Sequence, residues 1–171
     1  NFATTIDFFL TARIKALNIL AVSPLGDDPQ RWPELYTEAQ GFLASFGSHV
    51  ILADTGDPMR MLFNTRSPFG ASLPLLPRPQ GHAAAPAAAA SGKPAVGNTF
   101  MGPIAKEPLV AIAVPALRDG KVAHILLSIL ETKQLQQRMD KEALPATWSL
   151  TLKDSKGDII AQRLPVDFDP R

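Results

Sequence analysis

Leu109–Leu130 reads LVAIAVPALRDGKVAHILLSIL, two apolar runs joined by Arg118, Asp119, Gly120 and Lys121. Apolar runs flanking Asp-Gly predict an antiparallel hairpin, Leu109–Leu117 with Val122–Leu130, because Asp and Gly tolerate the positive φ that a tight hairpin turn requires. Alternation then sorts each strand into two faces. In the first strand Val110, Ile112 and Val114 lie opposite Ala111, Ala113 and Pro115, so one face has little side-chain volume. In the second, Val122, His124, Leu126, Ser128 and Leu130 form a polar-dotted face against Ala123, Ile125, Leu127 and Ile129. The small face and the polar-dotted face are expected to line a cavity together. A plainer packing suits the same residues: Ala111 and Ala113 admit a close helix, and His124 is a satisfied core or edge histidine.

Working outward, Ser67–Pro108 precedes the hairpin and holds eight of the sixteen prolines, with an alanine tract at Ala83–Ala90 interrupted by Pro86. Proline fixes φ and withholds a donor, so this segment is expected to wrap irregularly over one sheet face, with room for a short alanine helix. Before it, His49–Ala53 and Met59–Asn64 show a period of two around Asp54, Thr55, Gly56 and Asp57, which predicts another hairpin. Helical spacing marks roughly residues 4–22, through Ile6, Phe9, Leu10, Ile14, Leu17, Leu20 and Ala21. A second helix starts near Pro33, carries Leu35, Ala39, Phe42, Leu43 and Phe46 on its buried side, and stops at Gly47. After the central hairpin, Thr132–Ala143 returns to helical spacing and is stopped by Leu144 and Pro145. Trp148–Leu152 and Ile159–Ala161 form a last hairpin around Asp154, Ser155, Lys156 and Gly157.

The sum is α+β, an antiparallel sheet with a long N-terminal helix and a second helix packed on it. One domain is expected over 1–171, helical at 1–47, sheet and wrap at 48–130, helix and final hairpin at 131–171. Its 171 residues, 46% hydrophobic and 19% charged, suffice for a core of their own. Seventeen basic against sixteen acidic side chains leave a charge of +1, which argues against a nucleic-acid partner. The absence of cysteine removes disulfides and thiolate chemistry. No apolar run reaches the roughly 20 residues that span a bilayer.

Little points to catalysis. His49, His82 and His124 lack metal-ligand spacing, no cofactor is expected, and no G-x-S-x-G element holds a serine. Asp119 and Asp154 fall at turns, where carboxylates accept local amides. The predicted site lies beneath the wrap, lined by Arg66, Phe69, Phe100, Met101, Ala113, His124 and Ser128. Arg66 suits an anionic ligand such as a carboxylate, since its fork of donors can clamp one; a solvated arginine or an internal ion pair fits the sequence as well. The first helix carries Phe2 and Phe8 off its main stripe, which leaves them for a second copy of the chain.

In order and spacing the chain resembles the extracytoplasmic PAS-like (Cache) sensor domains of bacterial membrane-bound sensor histidine kinases. The resemblance rests on Ala21–Pro24, Val50–Asp54 with Gly56, Phe63–Thr65, Pro68–Gly70, Leu73–Pro74, Thr99–Pro103, Pro108–Pro115, Arg118–Gly120, Leu144–Pro145, Trp148, Asp154, Gly157 and Ala161. It implies a helix rising from a membrane, a PAS-like sheet, and a small-ligand pocket between sheet and wrap. It further implies a periplasmic location, membrane attachment through flanking segments, a homodimer in the intact receptor, and kinase chemistry outside this chain. Gly97 and Asn98 stand where relatives often carry Ser-Asp, and the aromatic, Arg and Asp set of the amino-acid-binding members is not visible. The resemblance therefore names no ligand. A partner-binding module of the same fold and, less favoured, a small hydrolase are the alternatives.

Overall fold

The central hairpin forms as its alternation and turn dictate, and the rest of the molecule is arranged on its two faces. In the computed structural model, which describes residues 2–78, 81–141, 147 and 149–165 and side chains from residue 10 onward, the long strands are β5 (Pro108–Arg118) and β6 (Lys121–Glu131). Asp119 and Gly120 take φ of 53° and 77° in the turn, as a two-residue primed turn demands. β1 (His49–Ala53) pairs antiparallel with β6, and β2 (Met61–Asn64) closes that edge; on the other side β3 (Ala95–Val96) and β4 (Phe100–Met101) both pair with β5. The order is therefore β2-β1-β6-β5-β3, with β4 beside β3 on the edge of β5.

One face carries the helices. α1 (Phe2–Val22) and α2 (Trp32–Phe46) cover Val110, Ile112, Val114, Leu126 and Leu130 with Leu17, Leu20, Leu35 and Phe42. Gly47 ends α2 at φ 69°, its N–H bonded to Leu43 O at 2.7 Å, a left-handed cap that glycine adopts without strain. Arg118 ties the hairpin tip to the end of α1: Nη1 donates to Ala21 O, Nη2 to Ser23 O, both at 3.0 Å, and Nε to Asp27 Oδ1 at 2.6 Å. A cation there also complements the negative end of the helix dipole.

The other face carries the wrap. Its alanine tract forms α3 (Ala84–Ser91), whose Ala84, Ala85 and Ala88 are buried against Ala111 and Ala113. Small residues on both sides let helix and strand approach closely. α4 (Thr132–Asp140) and a separate two-stranded sheet, β7 (Leu150–Lys153) with β8 (Ile159–Arg163), complete the described chain. Gln136 fastens that last hairpin to α4 by exchanging two hydrogen bonds with the Gln162 backbone, at 2.7 and 2.8 Å. Leu144, Pro145 and Trp148, read from the sequence as stop signals and strand start, lie outside the described residues, as do the side chains of Phe2, Ile6, Phe8 and Phe9.

Candidate functional site

A cavity lies on the wrap face, where the alanines leave room. Its floor is the sheet, through Ile51, Met61, Leu109, Ala111, Leu127 and Ile129; its roof is the start of α3, Leu76–Pro77, and the segment from Gly97 to Ala105. The roof is close-fitting. A Cβ on Gly97 would stand 2.8 Å from Ala84 N, and one on Gly102 would stand 2.5 Å from Leu109 Cδ1. The remaining space is about 30 Å³, roughly a fifth of the ~150 Å³ apolar cavity that accommodates benzene in a well-studied protein core. Anything larger than a few atoms enters only if the roof shifts.

Among the described residues three polar side chains line this cavity: Asn64, Arg66 and Asn98. Asn64 Oδ1 accepts the Arg66 N–H at 3.0 Å, at the point where the chain leaves β2. The Arg66 guanidinium gives Nη2 to Glu131 Oε1 at 3.3 Å, while its buried Nε has no hydrogen-bond partner among the described residues. Glu131 also meets Lys133 at 3.1 Å, and Lys133 meets Glu107 at 3.5 Å. Burial alone would raise the Glu131 carboxyl; the hydrogen bond and charge of Lys133, then the hydrogen bond of Arg66, outweigh it and hold the group below its ordinary value. Asn98 Oδ1 is already taken by the Ser155 backbone N–H, at 3.1 Å, and by the Ser155 hydroxyl.

Of the residues singled out from the sequence, Arg66 and Phe100 line the cavity. Ala113 shares its side of the sheet, but it is fully buried under α3 rather than in the cavity wall. His124 and Ser128 do not join it. In the observed register Ala111 faces Ile129 and Ala113 faces Leu127, whereas Ser128 faces Ile112 and His124 faces Ala116. Paired residues point to the same side, so His124, Leu126, Ser128 and Leu130 of the polar-dotted face belong with the helices, while Val122, beyond the bulge, packs on the wrap side. His124 is a core histidine: its Nε2 would lie 2.6 Å from a Cβ on Gly26. Phe69 packs edge-on against Tyr36, with ring centres 5.7 Å apart, and Met101 is 63% exposed. Asp119 and Asp154 serve turns: Asp154 Oδ1 accepts Lys156 N and Asp158 N at 2.9 and 3.0 Å. Sequence reasoning placed Asn64 at the end of a predicted strand and within the resemblance, and Asn98 only as a departure from relatives, and assigned neither to the site; the Ser155 that engages Asn98 stands 57 residues away.

No family model and no curated protein matches the chain by sequence. Solved structures match its fold. The ligand-binding domain of the Pseudomonas fluorescens chemoreceptor CtaA in complex with L-serine aligns at a TM-score of 0.68 and 16% identity, over 94% of this chain and 66% of that one. The ligand-binding domain of the Pseudomonas aeruginosa PAO1 amino acid chemoreceptor PctB in complex with L-Gln aligns at 0.67 and 19% identity, over 93% and 63%. The ligand binding domain of Mlp24 with asparagine gives 0.62 and 18%, over 95% and 65%. The fold is that of the Cache-type sensor domains.

The chain spans just under two thirds of the length of these neighbours. Among the described residues no three metal-capable side chains gather, and no helix is long and apolar enough to cross a membrane.

Proposed function

We propose that this chain is the extracytoplasmic ligand-sensing domain of a membrane receptor, noncatalytic in itself, with a small molecule seated in the cavity beneath the wrap. One observation carries the reading: an apolar cavity with few polar groups lies between sheet and wrap, in a fold shared with domains solved in complex with small ligands. The ligand presents an anionic group to Arg66, the cavity's charged side chain. The receptor sits in the inner membrane through segments flanking this chain and works as a homodimer along α1, where Ile19 and Val22 are 70% and 73% exposed. Position 8 lies three helical turns before Ile19, on the same side.

The receptor's output, on the resemblance in sequence, is a histidine kinase. Ligand binding favours one conformer over another, and the Arg118 clamp on the end of α1 gives the sheet a means to pass that bias to the helix. A chemoreceptor output is the second reading, favoured by CtaA and PctB. Autophosphorylation of the full-length receptor supports the first output, and ligand-biased swimming without phosphotransfer by the receptor itself supports the second.

A thermal-shift screen over carboxylates, amino acids and purines tests the sensing role, since a ligand that binds only the folded state raises its stability. A reproducible, saturable rise in Tm is expected for at least one class. No response at millimolar concentration contradicts the reading and favours a ligand-free partner module; turnover of generic esters favours a hydrolase.

A further inference from the structure

We infer that the cavity selects a short-chain carboxylate without an α-ammonium group, and that Asn64 is its second hydrogen-bond donor beside Arg66. The inference rests on the sensing role proposed above and narrows it.

Two residues of the cavity lining each carry a donor that lacks an adequate acceptor. Asn64 is 4% exposed, and because its Oδ1 takes the Arg66 N–H, the orientation of its amide is set. The other end, Nδ2, reaches Met61 Sδ at 3.8 Å, and a thioether is a weak acceptor. Arg66 offers a comparable vacancy at Nε, since Glu131 engages Nη2 and leaves Nε buried without a partner among the described residues. Buried donors left unpaired cost free energy, and a ligand oxygen that meets both removes the cost. The two residues stand two apart, at the end of β2 and in the turn that follows it, and both line the cavity.

Nothing comparable receives a cation. Among the described residues no Asp or Glu lines the cavity, and the Asn98 oxygen is occupied by Ser155. An α-ammonium would leave water for an apolar pocket next to the Arg66 guanidinium, with no counter-charge. The Glu131 carboxylate already serves Arg66 and Lys133. Size points the same way. With about 30 Å³ free, an acid of the size of acetate or propionate needs the smallest displacement of the roof.

Calorimetry on the intact chain at pH 7 compares acetate, propionate and butyrate with glycine, alanine and 2-aminobutyrate. The acids are expected to bind at least about tenfold more tightly than the amino acids of matched length. Asn64→Asp keeps the shape and the bond to Arg66 N but replaces the donor with a carboxylate oxygen. It is expected to weaken propionate by about ten- to a hundredfold and to narrow or reverse the gap to alanine. Amino acids that equal or exceed the acids on the wild-type chain overturn the ligand class while leaving the sensing role standing, and this comparison needs no variant. Unchanged propionate affinity in folded Asn64→Asp overturns the role of Asn64. Absence of binding by every acid and amino acid, together with a blank thermal screen, removes the sensing role itself.

Discussion

Asp154 accepts the backbone N–H of Thr99 through Oδ2 at 2.9 Å, across 55 residues of sequence. Thr99 belongs to the roof segment of the cavity and Asp154 to the turn of the last hairpin, so the two structures share a fastening. Asn98 doubles it through Ser155. Burial alone would raise the Asp154 carboxyl, but the amides of Thr99, Asp158 and Lys156 hold it below its ordinary value, so the bond is at full strength at neutral pH. Asp154→Ala is expected to cost about 1 kcal/mol, less than a buried charged bond because the site is open to water. Amide exchange reads the loss most directly: Thr99, Lys156 and Asp158 should exchange faster in the variant, with the β5–β6 core unchanged. Uniformly unchanged exchange would show that the hairpin is held by α4 alone.

His124 fills the space under Gly26 so closely that the missing Cβ is the condition for the contact. Gly26→Ala would set a methyl 2.6 Å from Nε2 and 2.8 Å from Cε1 of a ring that is itself buried. A loss of about 1–3 kcal/mol is expected from denaturant melts. A neutral outcome would mean that the turn after α1 yields more readily than its hydrogen bonds to Trp32 and Arg118 imply.

Acid should weaken the fold through its histidines. His124 is pushed below its ordinary value of 6.5 by burial and then by Arg118, against Asp27; His49 is pushed the same way by burial and then by Arg66, against Glu131. The unfolded chain therefore takes up protons near pH 6.5 that the folded chain refuses. The histidine contribution is fully present above that pH, declines as pH falls toward the lower folded values, and then levels off. Asp54, Glu131 and Asp154, all lowered, add losses of the same sign in a more acidic window. Tm at pH 7.5 should exceed Tm at pH 5.5, and the difference should shrink in His124→Gln. An equal difference in that variant would remove His124 as a source of the slope.

Most of the fold was legible because its signals are local. Asp119–Gly120, the stripe of α1, Gly47 after α2 and the prolines of the wrap each act within a few residues, and the elements formed where those residues stand. The face on which the site lies was not. A two-residue turn pairs Arg118 with Lys121, and that register run straight back would set Ala111 across from Ser128 and Ala113 across from Leu126. A bulge between Ala116 and Leu117 shifts the pairing by one residue, and with a period of two one residue exchanges the faces. Ala111 and Ala113 thus meet Ile129 and Leu127, and His124 and Ser128 go to the helices. Pro115 lies past the stretch of β5 that β3 and β4 pair on that edge, yet nothing in the order of residues says which way the register moves. Asn98 gave no site signal for another reason, since its partner Ser155 stands 57 residues away; Asn64 depends on the local turn geometry that sets its amide between Arg66 N and Met61 Sδ.

The central claim, that a ligand sits between sheet and wrap, is tested most directly by methyl NMR of the alanine-labelled chain titrated with propionate. Alanines are distributed over both faces, which makes them position markers. Saturable shifts are expected for Ala83, Ala84, Ala85, Ala105 and Ala111, which line the cavity, and not for Ala21, Ala39 and Ala116, which lie in the helix-side core. Ala111→Val, which fills the cavity floor at a stability change of about 1 kcal/mol, should abolish those shifts. Saturable shifts confined to the helix-side alanines, or an undiminished response in Ala111→Val, would contradict the account.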